Sequence, residues 1–160
     1  MRTKEDSVPL PARVQSSFQN LKAAANELNS ASDRFTKLVT EIDAILKQLN
    51  IGIETWVQIG SKWCDDFDSS GYDQVGYAKV NGKWGVCLKS VTENANNPFD
   101  NIEVWSFGDG PRRLRLQSVE CLPTLLDELA KQAADGTRDI TDKTADLESF
   151  VSALKGGQNK

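Results

Sequence analysis

At 160 residues, 39% hydrophobic and 26% charged, the chain has the length and balance of one soluble globular domain with its own core. Its net charge of −4 gives no global attraction to nucleic acid, and no apolar run approaches the ~20 residues of a membrane span. The absence of histidine removes the commonest general base, the Ser-His and Cys-His nucleophile pairs and most zinc sites. No phosphate-cradling glycine loop, CxxC pair or GxSxG elbow appears, so the expectation is a protein that is not an enzyme and holds no cofactor.

Residues 1–11, "MRTKEDSVPLP", are polar, carry Pro9 and Pro11, and read as a flexible arm without an apolar signal-peptide core. The three cysteines, Cys64, Cys87 and Cys121, are an odd number with no secretion signal, which fits reduced thiols and a cytoplasmic location.

Residues 12–50 show sustained helical periodicity. Alternating steps of four and three from Val14 pass through Phe18, Leu21, Ala25, Leu28, Ser32, Phe35, Val39, Ile42, Leu46 and Leu49, with only Ser32 polar. That is a coiled-coil seam of about five heptads, and the positions between are largely charged or polar. "NIGIE", with Gly52 just past the seam, supplies the stop.

Residues 53–117 read as an antiparallel β-sheet of four or five strands. "IETWVQIGSKW" is β-rich, and "QVGYAKVNGKWGVCLKSV" is the strongest local signal, because Asn81-Gly82 supplies the positive φ angles of a two-residue hairpin turn. That turn sets Val80 opposite Lys83. One face then carries Val75, Tyr77, Trp84, Val86 and Leu88, and the other carries Gly76, Ala78, Gly85, Cys87 and Lys89. A strip so small expects something large close over it. Trp56 and Trp105 point away from their neighbours Val57 and Val104, and either roof this strip or offer an aromatic surface to a partner. "TENANNPFD" reads as a polar loop, "NIEVWSF" as a strand, "GDGP" as a turn and "RRLRL" as a short last strand.

Two features in this region invite chemistry. In "CDDFDSSGYDQ", Asp66, Asp68, Ser70 and Gly71 fall at positions 1, 3, 5 and 6 of an EF-hand loop. Position 12 is Tyr77 inside a predicted strand, and strands replace the required helices, so the segment reads as an acidic connection, with Asp66 and Asp68 only weak metal candidates. In "RRLRL", Arg112, Arg113 and Arg115 are the one dense basic stretch. On a strand Arg113 and Arg115 share a face, which can solubilise an edge or, with Lys79 and Lys83, hold single-stranded nucleic acid.

Residues 118–155 repeat the helical pattern through Val119, Leu122, Leu126, Leu129, Ala133, Gly136, Ile140, Lys143, Leu147, Phe150 and Leu154. Pro123 suits a first helical turn, Gly136 is a candidate break with Thr137 as a cap, and 156–160 is a tail. With Leu49 level with Val119, Phe35 faces Ala133, Ser32 faces Gly136 and Phe18 faces Phe150.

The expected fold is therefore α+β: one domain in which the N- and C-terminal segments form a long antiparallel helical hairpin, a coiled coil, with the β-meander inserted between them. This order resembles prefoldin subunits, whose α-type members carry two hairpins between coiled-coil helices. The resemblance implies a chaperone subunit within an assembly. From the residues themselves the expectation is a protein–protein interaction or assembly subunit, with a protein partner or self-association through Trp56, Trp105 and the helices. The alternative is a nucleic-acid-associated accessory factor using Arg112, Arg113 and Arg115.

Overall fold

The computed structural model describes residues 9–65 and 69–158. Their order is α1 (Leu10–Gln48), β1 (Thr55–Cys64), β2 (Ser69–Val80), β3 (Lys83–Asn94), β4 (Asn97–Ser106), α2 (Arg112–Ser118) and α3 (Leu122–Gln158). The fold is α+β, with the sheet between the two long helices in sequence. The chain divides inside α1 into two compact units, Met1–Ile42 and Asp43–Lys160.

In the first unit the described residues are almost wholly α1, which continues past Ile42 into the second. The helix opens two residues before the expected boundary and takes in Leu10 and Pro11. Proline is tolerated there because first-turn amides have no intrahelical acceptor. Val14, Phe18, Leu21 and Leu28 are exposed, whereas Phe35 is half-buried and Val39 is only 4% exposed. α1 ends at Gln48; Asn50 just beyond it has a φ of +48°, a left-handed cap, and Gly52 follows at +61°.

In the second unit, four antiparallel strands lie in the order β1-β2-β3-β4. The Asn81-Gly82 turn has φ angles of +51° and +78°, and Val80 pairs with Lys83 as expected. This register runs unbroken from Lys83 to Asn94 and sorts side chains onto two faces. The first carries Val75, Tyr77, Val86 and Leu88, all essentially inaccessible, with Trp84 stacked on Tyr77 at 5.6 Å between ring centroids. α2 is tied to this face by an ion pair from Arg113 to Asp73, and α3 packs against β1 and β2 through an element that buries Leu125 and Leu129. Leu114 of α2 and Phe107 of a preceding 3₁₀ turn complete the apolar core.

Four expectations are corrected. "RRLRL" is the helix α2, not a fifth strand. It has no β-branched residue, its arginines and leucines are good helix formers, and Pro111 stands at its N-cap. "TENANNPFD" is not a loop. β3 runs to Asn94, Ala95-Asn96 makes a tight turn, and β4 starts at Asn97 with a register irregularity that absorbs Pro98 to Asp100. Nor does α3 break at Gly136: it is continuous, and the Thr137 hydroxyl donates back to the Ala133 carbonyl at 2.9 Å instead of capping a new helix. Its last turn also takes in Gly156 and Gly157, which were expected in the tail.

Candidate functional site

Four strands place the sequence-derived candidates, and they do so on opposite sides of the sheet. Trp56 pairs with Gly76 on the second face, the one carrying Ala78, Gly85 and Cys87. The expectation of a large group over the small strip holds here: a Cβ on Gly76 would collide with the Trp56 indole and the Thr55 carbonyl. Trp105 pairs with Leu88 and so belongs to the first face, not to the small-residue face expected of it, where Val104 stands beside Lys89 instead. The two tryptophans therefore do not form one aromatic surface. Trp63 has its own glycine, covering Gly71 on the first face.

Trp56 is held from three directions. Gly76 lies under the ring, the Lys89 ammonium sits 4.1 Å from the ring centroid, and the indole N–H donates to Glu54 at 2.6 Å. Burial lowers the Lys89 pKa, opposed by the Glu54 charge. Beside this group lies a shallow cleft of about 430 Å³, lined by Glu54, Trp56, Ala78, Lys79, Lys89 and Val104. Two lysines and a carboxylate around the Trp56 ring give this recess a polar lining. Glu54 and Lys89 were missed as partners of Trp56, although strand alternation puts Glu54 on the same face two residues earlier.

The basic cluster also changes character once it is helical. Arg113 bridges Asp73, whose side chain is 7% exposed, at 3.1 Å, and donates to Gln117 at 2.8 Å. Its guanidinium thus neutralises a buried carboxylate and anchors α2. Arg113 and Arg115, two residues apart on a helix, do not share the face expected of them on a strand, whereas Arg112 and Arg115, three apart, are neighbours.

Asp66 and Asp68 lie outside the described residues. Ser70 and Gly71 are part of β2, and Tyr77, the twelfth position of the loop pattern, is buried in that strand. Among the described residues no group of three or more His, Cys, Asp or Glu side chains is placed to hold a metal ion. All three cysteines are free thiols. Cys87 is buried and pushed up to about 11 by desolvation, which makes it a poor nucleophile. Cys121 lies in a second recess of about 360 Å³ with Ile59, Gly60 and Leu116.

A carboxylate that sequence gave no means of placing completes this region. Asp43, at the end of α1, accepts the backbone N–H of Val86 at 2.6 Å and crowds Gly85, where a Cβ would stand 3.1 Å from its Oδ2. Among the described residues no helix is long and apolar enough to cross a membrane. No protein-family model, curated protein or solved structure matches the chain, so the geometry alone bears on function.

Proposed function

We propose that the protein is a non-enzymatic interaction or assembly subunit whose long helices present apolar stripes for helix–helix association. The observation that carries this reading is the exposure of large apolar seam side chains over the outer half of each helix. Phe18 and Leu21 of α1 are 61% and 65% exposed, and Ile140, Leu147 and Phe150 of α3 are 69%, 62% and 61% exposed. Regular stripes of this kind on solvated helices mark a surface meant to be covered, since most helix stability in proteins comes from packing an apolar face.

Charge supports pairing α1-type with α3-type segments. From Leu10 to Arg34, three basic and two acidic residues leave +1; from Asp135 to Lys155, three basic and five acidic residues leave −2. The proposed arrangement is an antiparallel coiled coil in which Phe18 faces Phe150, closed within one chain or across two copies. The experiment is disulfide trapping with Phe18→Cys and Phe150→Cys in a chain carrying Cys64→Ser and Cys121→Ser. Rapid oxidation to a linked monomer or linked dimer is expected, and no bond under mild oxidation contradicts the pairing.

A further inference from the structure

The sheet order leaves β4 with a free edge, and among the described residues nothing pairs with it. Every residue from Asn97 to Val104 is exposed. The hairpin turn fixes which way its backbone groups point. Because Val80 and Lys83 close a two-residue hairpin, they form a hydrogen-bonded pair, and bonded pairs alternate along the ladder. Odd-numbered β3 residues therefore bond to β2 and even-numbered ones turn towards β4. Val86, even-numbered and beyond the last β3–β4 pair at Cys87 and Ser106, bonds Asp43 instead. In β4 the partners of Ser90 and Leu88, namely Glu103 and Trp105, bond β3, so Ile102 and Val104 direct N–H and C=O outward.

The side chains along this edge have a definite order. Ile102 and Val104 stand on the second face, 56% and 40% exposed, with Glu103 between them on the first. Among the described residues neither Glu103 nor Asp100 makes an ion pair. Edge strands are commonly blunted by lysine, proline or a bulge. Here Pro98 and the irregularity guard only the turn end, and no basic residue occurs between Asn97 and Ser106.

We propose that the β4 edge receives an extended peptide as a fifth strand, with alternating apolar and basic residues. The apolar side chains lie beside Ile102 and Val104, and a lysine or arginine lies beside Glu103. A second copy of β4 suits the edge poorly, because it brings two further carboxylates, Asp100 and Glu103, and no cation to the seam. The site does not involve the helix stripes.

The test titrates the full chain with the capped peptide Thr-Val-Lys-Val-Lys-Val-Thr, following backbone amide shifts by NMR. The same sequence with glutamate for lysine, an N-methylated version and a block-scrambled version of equal charge serve as comparisons. Saturable shifts centred on Ile102 to Val104 are expected for the lysine peptide alone. Glu103→Lys, an exposed change compatible with folding, weakens it about tenfold and creates binding of the glutamate peptide. Ile102→Pro, which removes an outward N–H that β3 does not use, abolishes both. Phe18→Glu with Phe150→Glu leaves binding unchanged, so failure of the helix reading and failure of this one are separable. Equal binding of lysine, glutamate and scrambled peptides, undiminished binding of the N-methylated peptide, or shifts elsewhere than β4 overturns the proposal.

Discussion

The carboxylate of Asp43 accepts the backbone N–H of Val86 at 2.6 Å, where β3 continues past the end of β4. The bond satisfies a strand amide that the sheet leaves open, and it is charge-assisted. Asp43→Ala leaves this partly buried N–H without an acceptor and is expected to destabilise the fold by about 1–3 kcal/mol. Asp43→Asn keeps an acceptor without a charge and is expected to change stability at neutral pH by less than about 1 kcal/mol. Chemical denaturation of the three proteins checks both.

The same group gives a pH signature of known sign. Burial raises the Asp43 carboxyl above its ordinary value of 3.8, against the lowering effects of the Val86 hydrogen bond and the Lys47 charge. A raised folded-state pKa means that the folded chain binds the proton more tightly than the unfolded chain. The stabilisation is complete below the ordinary pKa and disappears as pH rises through the folded one. Wild type should therefore gain stability relative to Asp43→Asn as pH falls from neutral towards 4. A difference that stays constant, or runs the other way, contradicts this assignment.

Arg113 is expected to matter for stability more than its exposure indicates. It is 63% exposed, but its partner Asp73 is 7% exposed and would lose its compensating charge. Arg113→Ala should cost about 1–3 kcal/mol, reduced from the buried-pair range because the guanidinium is largely solvated. Arg112→Ala, at an exposed position of the same helix, should stay within about 0.5 kcal/mol. Thermal melts of the two variants separate an anchoring arginine from a surface one.

Gly136 lies inside a continuous helix, and a Cβ there meets nothing within 4 Å. Gly136→Ala is therefore expected to stabilise the chain by roughly 0.5–1 kcal/mol through the cost of glycine in a helix interior. A loss of stability would show instead that the missing side chain makes room for close helix approach.

Much of this molecule is legible from local chemistry. The Asn81-Gly82 turn fixes a register that runs the length of β2 and β3, so both faces of the central hairpin follow from one dipeptide. The range 12–50 expected from the heptad seam marks α1 to within two residues at each end. What failed depended on longer-range information. Alternation with Val104 alone puts Trp105 on the small-residue face, but its face is set by pairing with Leu88 across a turn whose sequence, Ala95-Asn96, carries no strong signal. "RRLRL" alternates over too few residues to distinguish a strand from a helix turn, and its composition should have outweighed its period. Asp43 joins a helix end to a strand 43 residues away, a relationship that no local pattern contains.

If the exposed stripes on the long helices are association surfaces, as proposed, the chain should not remain alone in solution. The most direct measurement is molar mass by light scattering across a concentration series, for wild type and for Phe18→Glu, Leu21→Glu, Leu147→Glu and Phe150→Glu combined. Wild-type mass is expected to rise with concentration, or to show a stable complex with a helical protein partner, and the variant to lose this association while the sheet retains its fold. A wild-type chain that stays monomeric at every concentration and forms no complex, or a variant that associates as well as wild type, contradicts it.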